Sequence, residues 1–215
     1  MDFGKSFSFV FEDKDWLKKI ALAALIGLIP FIGQFYLVGW ALGVTKNVIR
    51  RQTPELPEIE FSESLVRGLK SFVVSFVYSL PAFLIYLPIL IVALLTDASN
   101  NPDSAGALVG VVSVCCSGLL VLYGLALTIW LPAATGNFIA NGESIGAGLN
   151  FRQVWGLLRA APGAYLMVLL GGFIAGVIAP LGTIACGVGV LLTSAYALVM
   201  VNHMAGQAYL QAKGM

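Results

Sequence analysis

The chain of 215 residues is 59% hydrophobic and only 11% charged, with a mean hydropathy of +0.90 and a formal net charge of +1. Soluble domains carry roughly 25% charged residues, so a water-soluble fold could not cover this much apolar surface, and the near-neutral charge offers nothing to nucleic acid. Four stretches without Asp, Glu, Lys or Arg (20–45, 71–96, 104–142 and 160 up to Lys213) each reach the ~20 residues that cross a ~30 Å hydrocarbon core.

Water is absent from that core, so the backbone must satisfy its own hydrogen bonds. None of the four stretches alternates with period 2, which leaves helices rather than a barrel. The expected fold is therefore an all-α integral membrane protein, a single transmembrane domain over 1–215.

The first 19 residues mix Glu12, Asp13 and Asp15 with Lys14, Lys18 and Lys19. That is unlike the basic-then-apolar order of a cleavable signal peptide, and the first apolar segment is expected to be retained. Trp16 with Lys18 and Lys19 forms an aromatic-plus-basic lead-in of the kind that anchors a helix at the membrane interface. Similar lead-ins occur at Phe61 to Lys70 and at Phe151 to Arg159. In the last, a 100° wheel sets Phe151, Val154, Trp155, Leu157 and Leu158 opposite Arg152, Gln153 and Arg159. These segments read as interfacial amphipathic helices, or else as the cytosolic ends of the helices that follow.

Segment 20–45 would be about 39 Å long as one helix, but Pro30 and Gly33 interrupt it near its middle. Lys14, Lys18 and Lys19 flank one end, and Lys46, Arg50 and Arg51 the other. A single kinked span would place one of these groups outside, against the positive-inside tendency. A short or re-entrant hairpin that enters and leaves by the cytoplasmic face is the preferred reading.

Two central spans follow, 72–95 and 105–135, joined by an external loop 96–104 that contains Asp97 and Asp103 and no basic residue. The apolar run 164–202 is too long for one crossing, at about 57 Å for 164–201, and Pro180 and Gly182 break it into a second hairpin. All 12 Lys and Arg then fall on the cytoplasmic side with both termini. The location implied is the inner, cytoplasmic membrane of a prokaryote, crossed several times. Trp16 with Pro30 and Gly33 faintly echoes Trp155 with Pro180 and Gly182, an internal repeat of 7–50 and 147–209 if it is more than chance.

Several short motifs run the length of the chain: Phe11-Glu-Asp-Lys-Asp-Trp16-Leu-Lys-Lys-Ile20, Ile29-Pro30, Gly39-Trp40, Leu56-Pro57-Glu58, Gly68-Leu69-Lys70, Tyr78-Ser-Leu-Pro81, Leu131-Pro132-Ala133 and His203-Met-Ala-Gly206-Gln-Ala-Tyr209. In these the chain resembles a prokaryotic domain-of-unknown-function family of multi-spanning membrane proteins, the one numbered forty-thirteen. The resemblance implies a helical membrane fold and brings no catalytic residues with it.

No ionisable side chain sits within a span to act as a proton or ion relay. Cys116-Ser117-Gly118 lacks a partner base, and His203, the only His, reads as a residue at the cytosolic interface. Cys115, Cys116 and Cys186 read as apolar packing residues, or as one disulfide between Cys186 and the vicinal pair. No cofactor, metal or catalytic site is expected. The spacings Gly39-x-x-x-Gly43, Gly106-x-x-x-Gly110 and Gly172-x-x-x-Gly176 permit close helix approach, within the chain or to protein partners or a second copy. The stretch from Gln52 to Glu60 reads as a Pro-stiffened cytosolic connector, or as a docking loop.

The expectation is a non-enzymatic accessory or scaffolding subunit of a membrane assembly, in contact with the lipid bilayer. A membrane-shaping hairpin protein and a small permease-like carrier of an uncharged or lipidic substrate are the alternatives.

Overall fold

The computed structural model describes residues 1–97, 102–185 and 188–215. It is helical, with no strand among the described residues. The helices are α1 (Lys5–Ser8), α2 (Trp16–Gly27), α3 (Ile32–Arg50), α4 (Phe61–Asp97), α5 (Pro102–Ala140), α6 (Ile145–Gly148), α7 (Phe151–Ala160), α8 (Pro162–Leu181) and α9 (Val188–Ala212). Four segments are long and apolar enough to cross a membrane: Phe61–Leu94, Val109–Ala140, Pro162–Ile184 and Gly189–Ala212. They take in the two central spans and both limbs of the 164–202 run. Of the external loop expected at 96–104, residues 98–101 fall outside the described residues, while 96–97 belong to α4 and 102–104 to α5.

The chain divides into two compact units, one made of Met1–Val74 with Ile129–Met215 and the other of Ser75–Thr128. The second unit is a pair of helical limbs, the outer part of α4 and the preceding part of α5, tied where the Tyr123 hydroxyl donates to the Tyr78 carbonyl at 2.6 Å. The first unit holds everything else and has a conventional buried core.

That core starts with α2 and α3. α2 is about 18 Å long, well short of a ~30 Å hydrocarbon core, and it ends before Pro30 as the sequence anticipates. Phe31 takes a positive φ of 60° with ψ −65°, a strained geometry for a side chain of that size. The chain folds tightly enough here that a Cβ on Gly33 would strike the Ile26 carbonyl. Gln34 closes the corner, its Nε2 donating to the Gly27 carbonyl at 2.7 Å. Ile20, Ala23 and Ala24 of α2 then pack with Tyr36, Trp40, Ala41, Val44 and Val48 of α3, Ala195 and Val199 of α9, and Phe9, Val10 and Leu56 from the flanking segments. The corner itself carries exposed apolar side chains: Leu25, Leu28, Ile29, Phe31 and Ile32.

α7 begins at Asn150, whose side chain accepts from the Gln153 backbone N–H at 3.1 Å, the usual way an orphan donor at a helix start is satisfied. α8 begins with Pro162 at its first turn, where the missing N–H costs nothing. α8 ends near Pro180, and a Cβ on Gly182 would strike the Gly189 carbonyl. The Thr193 hydroxyl donates to the Ala179 carbonyl at 2.7 Å, pinning α9 back on α8.

Of the three lead-ins, only 151–159 forms a separate helix. Residues 61–70 are simply the first turns of α4, which run on without a break.

Candidate functional site

Glu63, Arg67 and Lys70 lie in the first turns of α4, at the start of the apolar segment Phe61–Leu94, and in the first unit many charged side chains converge. Residues 51–60 carry no regular structure, yet they behave as a strap rather than a free connector. Leu56 is buried in the core. The Trp40 indole N–H donates to the Pro57 carbonyl at 3.3 Å, and the Asn47 amide to the Glu55 carbonyl at 3.1 Å. Three polar networks hang on or beside this strap.

The first network surrounds His203. Its Nε2 lies 2.6 Å from Glu55 Oε2, its Nδ1 lies 2.9 Å from Ser6 Oγ, and its ring stacks on Phe9 at 4.2 Å between centroids. The tautomer follows from the neighbours. The Asp2 N–H donates to Gln207 Oε1 at 2.6 Å, which fixes the amide so that Gln207 Nε2 faces His203 Nδ1 at 3.1 Å as a donor. Nδ1 then accepts, and Nε2–H donates to Glu55. Lys5 Nζ binds the other oxygen of Glu55 at 2.7 Å. Burial works against the Glu55 carboxylate, but hydrogen bonds from His203 and Lys5 outweigh it and hold its pKa below the ordinary value. The hydrogen bond to Glu55 in turn raises Lys5.

A hydroxyl, an imidazole and a carboxylate in that order are the parts of an acyl-transfer relay. Ser6, however, has no exposed surface, and its hydroxyl also lies 3.4 Å from the Asp2 carbonyl as a donor. No substrate carbonyl can reach a sealed oxygen. The group works as a clasp, fastening the N-terminus and the strap to α9. His203, expected at an open interface, is 1% exposed because Phe9 covers its face and polar partners take both its nitrogens.

The second network is Lys19 between Asp13 at 2.7 Å and Glu58 at 2.6 Å. Lys19 and Asp13 are both buried, so Lys19 does not reach out as the interface anchor its sequence position suggests. Lys18 beside it is exposed and Trp16 half-buried. Burial opposes the Lys19 ammonium, yet two carboxylate hydrogen bonds raise its pKa. Asp13, likewise disfavoured by burial, is lowered by its bonds from Lys19 and the Asp15 N–H.

The third network centres on Arg67 in α4. Its Nε donates to Glu143 at 2.9 Å, its Nη1 to the Gly39 carbonyl at 3.1 Å, and its Nη2 approaches Glu63 at 3.5 Å. Lys46 joins the same Glu143 oxygen at 3.1 Å. Glu143 is presented from a left-handed turn, φ 61°. Burial works against its charge as well, but Arg67 and Lys46 more than offset this and lower its pKa.

Between α3, α4 and the strap lies a polar cleft of about 580 Å³, lined among others by Lys46, Arg50, Glu58, Glu60, Glu63 and Arg67. Its cations are largely balanced by its own acids, so the cleft presents no strong single-sign field. Among the described residues no three His, Cys, Asp or Glu side chains converge as a metal site.

The remaining sequence candidates are distributed as follows. Gly39 sits at the crossing of α3 and α4, where a Cβ would strike the Ser64 carbonyl, and Gly43 lies against the Pro57 ring. The reciprocal partner is Gly68, where a Cβ would strike the Phe35 carbonyl, and no spacing motif pointed to it. At Gly106, Gly110, Gly172 and Gly176 a Cβ would meet nothing within 4 Å. Trp155 and Arg159 lie on the exposed side of α7, with the guanidinium 4.9 Å from the indole centroid. Cys115 is exposed and Cys116 buried, both free, and Cys186 lies outside the described residues.

The missed members, Ser6, Glu55, Arg67 with Glu143, and Gly68, share one trait: their partners are far away in the chain. The only sequence signal was the presence of acids within the first two basic lead-ins, Glu12, Asp13 and Asp15 in one and Glu63 in the other. A comparison with protein families matches residues 22–188 to one described as "Protein of unknown function (DUF4013)". Neither a curated protein nor a solved structure matches the chain. With most of its length inside that match, and with apolar helices long enough to cross a bilayer, the chain belongs to the DUF4013 family.

Proposed function

We propose that this protein is a non-enzymatic accessory or scaffolding component of a membrane assembly, holding partners through the apolar faces of its long helices. The observation that carries the reading is a contrast between the two units. In the first, the buried charged side chains Asp13, Lys19 and Arg67 are paired with opposite charges. In the second, α4 and α5 display broad apolar faces, with Phe83, Leu84, Val114, Val121 and Leu122 each at least 60% exposed. Gly118 and Gly124 on α5, like Gly110, leave open space around their backbone, where a neighbouring helix could pack closely.

We further infer the arrangement in the bilayer. α2 and α3 form a re-entrant hairpin whose apolar corner, 28–32, dips into the hydrocarbon from the cytoplasmic side. Two features support this: Lys19 at one end and Lys46 at the other both join the polar networks beside the strap, and the corner exposes Leu28, Ile29 and Phe31. The four longer segments cross fully, α7 lies in the interface, and both termini are cytoplasmic.

Extraction of native membranes in mild detergent, followed by affinity purification and mass analysis, tests the role. A stoichiometric partner or a defined oligomer is the expected result. Recovery of a lone monomer at native expression level would count against scaffolding.

A further inference from the structure

We infer that the groove between α7 and α8 is a binding site for a bilayer phospholipid with a net negative headgroup. The groove has a volume of about 610 Å³. Ile129, Leu158, Pro162 and Leu166 line it together with the rings of Trp155 and Tyr165, and Arg159 is the one charged residue in its wall. The site does not depend on the scaffolding role.

Three observations make its occupant an anionic amphiphile. The wall is almost wholly hydrocarbon and aromatic, so the occupant must bring apolar length. The Arg159 guanidinium is unspent: it rests over Trp155 at 4.9 Å, and among the described residues no carboxylate pairs with it. A guanidinium presents a planar fork that matches a phosphate, and stacking on an indole leaves its edge N–H groups free to donate. Finally, α7 carries Arg152 and Arg159 and no acid. That helix offers no carboxylate to the ammonium of a zwitterionic headgroup.

The position suits a lipid rather than a soluble anion. Trp155, Trp130 and Phe151 form an aromatic group, with centroids 6.1 Å apart for the two indoles and 4.5 Å for Trp130 and Phe151. Such aromatic clusters mark headgroup depth. α7 turns into α8 at Ala161, with Val154 and Leu157 buried beneath it, so the groove opens along the start of a membrane span. A phosphate at Arg159 would lay its acyl chain along Leu158, Pro162 and Leu166 toward the hydrocarbon. At Gly163 on the groove wall a Cβ would meet nothing within 4 Å, which leaves room for that chain.

The test uses the full chain, purified and delipidated, with native mass spectrometry of retained phosphatidylglycerol against phosphatidylcholine. Wild type should retain the anionic lipid in preference. Arg159→Gln should reduce that preference about fivefold, the effect expected of one basic residue at a membrane surface. Gly163→Leu, which fills the groove and keeps the guanidinium, should lower retention of both lipids. Arg152→Gln removes the same charge from the same helix outside the groove and should leave the preference intact. Thermal unfolding of each variant verifies that it is folded. Equal retention of the two lipids by wild type overturns the proposal. So does an Arg152→Gln effect as large as that of Arg159→Gln, which would assign the preference to diffuse charge.

Discussion

Arg67 concentrates the chemistry that matters at the scale of single residues. Its side chain is 6% exposed, a depth at which a guanidinium survives only if every face of the fork is satisfied. Glu143, the Gly39 carbonyl and Glu63 satisfy it. Arg67→Ala strands Glu143 with Lys46 alone, and the cost should be about 3–5 kcal/mol, the range for breaking a buried pair. It should appear as a clear fall in the thermal midpoint of the purified protein in detergent. Adding Glu143→Ala to Arg67→Ala should cost less than the sum of the two single changes, because the second removes the group that the first left unpaired. Strict additivity would mean that the pair contributes little. The sequence identifies Arg67 only as one basic residue of a lead-in. Its partner comes from a turn 76 residues later, and no local pattern encodes that pairing.

Between elements, the informative contacts are those where backbones touch. Three Gly-x-x-x-Gly spacings look alike in the sequence. Only Gly39 and Gly43 face a crossing helix or strap, whereas Gly106, Gly110, Gly172 and Gly176 have open space around them. Periodicity can assign a small residue to a helix face, but it cannot say which face meets a neighbour. Gly68→Ala should therefore disrupt the α3–α4 crossing, since the added Cβ would overlap the Phe35 carbonyl and backbone cannot yield cheaply. A large loss of folded yield in detergent is expected. Gly172→Ala should leave yield and midpoint nearly unchanged, and equal damage from both substitutions would sink this account. Pro30 and Pro180 stood out in the sequence because each is closely followed by a glycine, although proline alone does not end a helix here: α4 runs through Pro81 and Pro88, and α5 through Pro132. The need for Gly33 and Gly182 at those corners is tertiary: each lies against the backbone of the adjoining helix.

For the molecule as a whole, the testable quantity is sidedness. In a background with Cys115, Cys116 and Cys186 replaced by Ser, single cysteines at Lys18 and at Arg50 sit on exposed positions flanking the α2–α3 corner. Both should label from the cytosol and neither from outside. Labelling from opposite faces would replace the re-entrant hairpin with one kinked crossing. The sequence by itself pointed to the solvent: long charge-free stretches suit a bilayer, because water cannot satisfy so much apolar surface and a bilayer core cannot satisfy an open backbone. It also marked Pro30 and Pro180 as candidate interruptions, near the ends of α2 at Gly27 and α8 at Leu181. The convergence of charged residues into three buried networks, and the conversion of 51–60 from a connector into a strap, were decided only by tertiary structure. Partners such as Lys19 with Glu58 and His203 with Glu55 lie far apart in the chain, and a hydropathy pattern records which residues leave water without recording whom they meet.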